Sequence, residues 1–177
     1  ERGFLDKDRL VEYTADESDL EINVSEKSSP LVEATCGSLG QGLSVAVGFA
    51  LAAKKQGKVS RVYVLLGDAE MQEGQVWEAA MSAVNHKLDN LCVIVDVNGM
   101  QAEGPMEKIT EVHPIADKWK AFGWHTISAD GHSFNDLRRS LDSARVTHGQ
   151  PTAILAKTIV GKGIYFLEGE RSHNMYV

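Results

Sequence analysis

RVYVLLGD (Arg61–Asp68) and LCVIVDVNG (Leu91–Gly99) decide the fold of this chain. Each is a short, β-branched and aliphatic run shut off by a turn pair, Gly67-Asp68 in one and Asn98-Gly99 in the other. Such runs read as strands buried on both faces. Between them, Gly74 to His86 reads as a helix. Strand, helix, strand with near-continuous apolar strands specifies an α/β fold, a parallel sheet with helices on both faces.

The same pattern extends outward. Upstream, Gln41 to Lys55 is apolar on almost every side, which predicts a helix buried in the core, with Gly57 as its left-handed stop. Downstream, the spacing predicts a helix over Ile115 to Phe122, a strand over His125 to Ser128, a helix from Phe134 to Val146 with Ser133 as its N-cap, and a strand over Pro151 to Thr158. Glu1 to Ser29 is polar and acidic, with one short helix expected near Asp6 to Val11. No repeat or low-complexity linker interrupts the chain, so residues 1–177 are expected to form one domain. It begins at Glu1 rather than Met, and some N-terminal residues are expected to be missing.

Composition narrows the functional classes. The 177 residues carry 18 basic against 25 acidic side chains, a net charge of −7, which argues against a nucleic-acid backbone as partner. An apolar content of 43% and a charged content of 24% are ordinary globular usage. The longest apolar stretch, Leu43 to Ala53, is broken by Ser and Gly and falls short of the roughly 18 residues of a membrane span. Cys36 and Cys92 stand in neither a metal nor a redox spacing, so they read as reduced thiols of a cytoplasmic protein.

Ligands of open parallel sheets bind outside the carboxyl ends of the strands. Asp68 and Asn98 end two strands there, and Asp96 alternates onto the same face as Asn98. A carboxylate and an amide oxygen from neighbouring strand ends suit Mg²⁺, whose coordination is completed by phosphate and water oxygens. Taken singly, each reads first as a turn residue; together, on adjacent strand ends, they point towards a site. The run Gly37-Ser38-Leu39-Gly40-Gln41-Gly42 opens the apolar helix. It either brings backbone N–H groups to a diphosphate or simply permits a tight turn and close helix packing. It is not a dinucleotide fingerprint, because no strand precedes it. The six histidines, at 86, 113, 125, 132, 148 and 173, form no zinc spacing. His86 and His125 read as core groups, His132 as part of a turn, and His173 as part of a polar tail.

Four ordered runs carry a resemblance: VEATCGSLGQGLSVAVG (Val32–Gly48), LLGDAEMQEGQVWEAA (Leu65–Ala80), HKLDNLCVIVDVNGM (His86–Met100) and KTIVGKG (Lys157–Gly163). They resemble the thiamine-diphosphate-binding half of transketolases, including its cofactor motif of Gly-Asp-x at one strand end and an Asn 30 residues after the Asp, here Gly67-Asp68-Ala69 and Asn98. The resemblance implies that Asp68, the Asn98 side chain and the Met100 main-chain carbonyl hold Mg²⁺. It also implies that Gly37 and the Ala69 amide approach the diphosphate of thiamine diphosphate, and that Leu39 packs on its thiazolium. Glu73 and Glu78 match acidic residues near a subunit interface, although both are equally natural as surface acids early in a helix. His173 matches a histidine between diphosphate and substrate.

Three positions depart from the family pattern. Ala69 stands where Gly is usual. Asn23 replaces a histidine that contacts substrate hydroxyl groups, and an amide cannot titrate near neutrality. Ser172-His173-Asn174 stands where Trp-His-Gly is expected. The resemblance further implies a separate pyrimidine-binding partner subunit in an α2β2 heterotetramer, and transfer of a two-carbon ketol unit from a ketose phosphate. The acceptor would be an aldose phosphate or a carrier-bound thiol on a carrier protein. The rival expectations are a non-catalytic phosphate-binding module and an enzyme condensing pyruvate with glyceraldehyde phosphate.

Overall fold

The computed structural model describes residues 3, 5–23 and 25–169. After a 3₁₀ turn at Lys7–Glu12, capped by the Asp6 side chain, the chain runs irregularly to Gly40. It then alternates: α1 (Gln41–Lys55), β1 (Val62–Gly67), α2 (Gly74–Asn85), β2 (Leu91–Val97), the short hairpin β3 (Met100–Gln101) and β4 (Gly104–Pro105), α3 (Ile115–Ala121), β5 (His125–Asp130), α4 (Phe134–Val146) and β6 (Thr152–Lys157). The four long strands form one parallel sheet in the order β1-β2-β6-β5. Gly67 lies opposite Asp96, and both Val97 and Asp130 lie opposite Lys157, so all four carboxyl ends share one edge.

Strand alternation sends side chains to two cores. Leu66, Val93 and Val95 meet Leu43, Val47 and Ala50 of α1, Val76, Ala80 and Ala83 of α2, and Ile115 and Trp119 of α3. Cys92 and Ile154 face the other way, onto Ala129 and onto Ala144 of α4. Each large apolar side chain buried in this way stabilises the fold by about 1.5–3 kcal/mol. Helices therefore cover both faces, as the apolar strands require.

Local signals act where expected. The Ser133 hydroxyl accepts the Asp136 N–H at 3.3 Å and starts α4. Gly57, at φ +65°, ends α1 by donating to the Lys54 carbonyl, while Lys58 N–H reaches the Ala53 carbonyl at 2.9 Å. These paired bonds satisfy carbonyls that a helix end leaves open.

Two expectations are corrected. α1 is not buried all round: Leu43, Ala46, Val47, Ala50 and Ala53 are buried, while Val45 and Phe49 are exposed. His86, expected in the core, ends α2 on the surface. His125 is partly buried, its Nδ1 3.4 Å from the Thr147 hydroxyl. Among the described residues, no helix is long and apolar enough to cross a membrane.

Candidate functional site

The sheet register carries Asp68 and Asn98 to the same corner. The Asp68 amide continues the ladder by donating to the Asp96 carbonyl at 3.1 Å. Its side chain is 1% exposed. One carboxylate oxygen accepts the Ala69 N–H at 2.9 Å and the other accepts the Gly99 N–H at 2.7 Å. The carboxylate thus reaches the amide directly after Asn98, joining two strand ends 30 positions apart in sequence. Among the described residues Asp68 has no ion-pair partner. Burial pushes its pKa above the ordinary carboxylate value, against the amides of Gly99 and Ala69, and the charge of Asp96 adds to the rise.

Asn98 is held in one orientation. Its Nδ2 donates to Asp96 Oδ2 at 3.2 Å, and its Oδ1 accepts the Met100 N–H at 2.8 Å. Asp96 is fixed in turn by the Thr158 hydroxyl, which donates to its other oxygen. Asp96, Asn98 and Met100 line a cleft of about 470 Å³, together with His132, Thr158 and Gly161. The His132 Nε2 accepts the Ile159 N–H at 2.9 Å, which ties the loop after β6 to the turn after β5.

These residues fit a hard divalent cation. A buried carboxylate with no counter-charge among the described residues bonds the amide that follows Asn98, whose own side-chain oxygen is held in one orientation. An all-oxygen donor set of low charge is what Mg²⁺ accepts when phosphates complete its shell. Among the described residues no three His, Cys, Asp or Glu side chains gather into a metal cluster, at this corner or elsewhere.

The glycine run borders this corner. Gly40 caps α1 at φ +81°, and a Cβ there would lie 2.7 Å from the Cβ of Glu73. A Cβ on Gly37 would stand 3.0 Å from the Cβ of Asn23. The structure therefore brings Glu73 to Gly40 and Asn23 to Gly37, so both glycines serve close packing within the protein. Leu39, between them, is 56% exposed and offers an apolar surface at the loop's crest. The Ala69 amide, expected to face a diphosphate, is bonded to Asp68 here. Glu78 lies exposed on α2, and His173 falls outside the described residues.

Sequence reasoning missed Glu70. Its carboxylate accepts the Gly40 N–H at 2.8 Å and the Gly67 N–H at 3.1 Å. Nothing local marks it, because its more distant partner lies 30 residues upstream.

Comparison with known proteins gives the family. The sequence profile of "Transketolase, thiamine diphosphate binding domain" matches residues 24–175. A transketolase family protein of Sinorhizobium fredii is 45% identical over all of this chain, which spans 64% of that protein. The 6-deoxy-6-sulfo-D-fructose transketolase subunit of a Clostridium species is 46% identical over 81% of this chain and 53% of its own length. The chain thus spans between half and two thirds of these curated relatives. The transketolase structure from Leishmania mexicana superposes with a TM-score of 0.90 at 29% identity, over 96% of this chain and 27% of that one. On the match of its sequence and of its fold, this chain belongs to the transketolase family, within the region of the thiamine-diphosphate-binding domain.

Proposed function

We propose that this chain is the thiamine-diphosphate-side component of a two-component transketolase, acting with a pyrimidine-binding partner subunit in an α2β2 assembly. The reaction moves a two-carbon ketol unit from a ketose phosphate to an aldose phosphate or to a carrier-bound thiol. The observation that carries this reading is the buried Asp68 carboxylate, without a cationic partner among the described residues and hydrogen-bonded to the amide that follows Asn98. The subunit naming of the Clostridium relative supports a divided enzyme.

Asp68, the Asn98 amide oxygen and the Met100 carbonyl would hold Mg²⁺ against the two phosphates. Thiamine diphosphate supplies, when bound, the nucleophilic carbon and the electron sink that ketol transfer requires. The protein's part is grip and orientation. Asp96 and Thr158 keep Asn98 from rotating, Glu73 stands against Gly40 at the rim, and the exposed Leu39 gives a ring an apolar seat. Asn23, beside Gly37, can donate a hydrogen bond to a sugar hydroxyl but cannot shuttle a proton. Ketose binding at that point is therefore by hydrogen bonding alone.

The test uses the assembly isolated from the native host. Calorimetric titration should show thiamine diphosphate binding that requires Mg²⁺. Ketose-phosphate cleavage should appear only when the partner subunit is present. Turnover by this chain alone would overturn the divided-enzyme reading, and binding indifferent to Mg²⁺ would remove the metal assignment.

A further inference from the structure

We infer that Glu70 is a positioning residue that fastens the glycine loop to the metal corner; this rests on the cofactor reading above. The segment Asp68–Glu70 carries two carboxylates, and each reaches across to a neighbouring loop. Asp68 grips the amide of Gly99, beside Asn98, while Glu70 grips the amide of Gly40, inside the glycine run. The second oxygen of Glu70 returns to the Gly67 amide. One side chain thereby spans from the start of α1 to the end of β1.

Neither amide has a place in helix or sheet bonding among the described residues. Gly40 is the N-cap of α1, so its own N–H precedes the helix and meets no intrahelical carbonyl. β1 is the edge strand, and the amides of Val62 and Asp68 point toward β2, donating to the carbonyls of Asn90 and Asp96. By alternation the Gly67 amide points out of the open edge. A charged acceptor shared by two such donors is worth more than a neutral one.

Glu70 also projects from a fixed base. The Trp77 indole N–H donates to the carbonyl of the next residue, Met71, at 2.8 Å, and Met71 is 1% exposed. Crowding sets the loop's distance: Gly40 lies against Glu73 so closely that no Cβ fits. Glu70 pulls the loop in while Glu73 limits how near it comes. The loop's crest, Leu39, is thus set at one height relative to Asp68.

A carboxylate is required because two N–H groups converge on it. Gln offers one acceptor oxygen and turns an NH₂ toward the second donor. Asp keeps the charge but falls one methylene short.

The experiment compares wild type, Glu70→Gln and Glu70→Asp in the native assembly, well below its melting transition. Thiamine diphosphate is titrated at saturating Mg²⁺, and amide hydrogen exchange at Gly40 and Gly67 is followed without ligand. Both variants are expected to bind about tenfold more weakly, the scale on which partners that orient a site's ligands act. Both are also expected to lose protection at the two amides. A purely structural role would lower the melting temperature while leaving affinity in the folded protein unchanged, and that result overturns the inference. So does unchanged exchange at Gly40. If wild type itself fails to bind thiamine diphosphate, the cofactor reading falls, and the positioning role falls with it. If wild type binds and both variants bind equally well, only the role of Glu70 falls.

Discussion

Two aspartates at opposite ends of the sheet meet opposite electrostatic fates. Asp89 lies just before β2, at the amino edge. Its Oδ1 is 2.9 Å from Lys54 Nζ and its Oδ2 accepts the Gly149 N–H at 2.9 Å. Burial pushes its pKa up, but the Gly149 amide and the Lys54 ammonium outweigh that push and hold the carboxyl below its ordinary value. Asp68, at the carboxyl edge, also accepts two hydrogen bonds, yet burial wins and its pKa rises. The hydrogen bonds are alike; Asp68 is the more deeply buried of the two and faces the charge of Asp96, whereas Asp89 is partly exposed and has a cation. The amino edge supplies its own positive charge, whereas the carboxyl edge holds a buried negative charge that a bound divalent ion would complete.

Removing each carboxylate should break this contrast most visibly. Asp68→Ala is expected to cost more than ~100-fold in Mg²⁺-dependent thiamine diphosphate affinity, beyond the effect of losing a residue that only orients a ligand. Asp89→Ala should leave that affinity unchanged. Calorimetry on both variants decides, and comparable losses would show that the two edges are not distinct.

Cys92, the second residue of β2 and fully buried, extends the contrast to an interior where burial outweighs the nearby charge of Arg61. Burial pushes its thiol from 9.0 up to about 11. A raised folded-state pKa means that the stability is complete below the unfolded value and is lost as pH rises through the folded one. The chain should lose roughly 2–3 kcal/mol between these limits. Cys92→Ala, itself less stable, should show no such decline in alkaline denaturant titrations.

Asp68→Asn tests sign rather than size. The raised pKa makes the metal-free fold most stable with Asp68 protonated, and this contribution fades as pH rises through the folded-state value. In chelator, Asp68→Asn should therefore gain on wild type as pH rises across that window. Excess Mg²⁺ with thiamine diphosphate should reverse the order, because only the carboxylate gains from the ion. Parallel pH profiles in chelator would refute the buried-charge argument.

The smallest effect belongs to the amino edge. Lys54→Met should cost no more than about 1 kcal/mol, since the pair is partly exposed. Asp89 contributes above its ordinary pKa and loses that contribution as pH falls through its lowered value. The difference between Lys54→Met and wild type should accordingly shrink in acid.

Much of this was legible before any coordinates. Leu91–Val97, Gln41–Lys55 and Phe134–Val146 fall where periodicity and caps set them, because those signals act within one or two turns of the chain. The placing of Asp68 and Asn98 at two strand ends was legible as a motif, and the parallel sheet puts those ends side by side, with Gly67 opposite Asp96 and the Asp68 carboxylate on the Gly99 amide. The hairpin at Met100–Pro105 was not anticipated, since each of its strands is only two residues long.

The sequence by itself determined the order of strands and helices and the polarity of the sheet. It did so through patterns that repeat every two or 3.6 residues. Only the tertiary structure decided that Asp68 has no cation among the described residues, that α1 leaves Val45 and Phe49 exposed, that Asn23 lies against Gly37, and that Glu70 joins Gly40 to Gly67. Each of these depends on which distant segment lies a few ångströms away, and that is set by strand register and helix packing rather than by any neighbour along the chain.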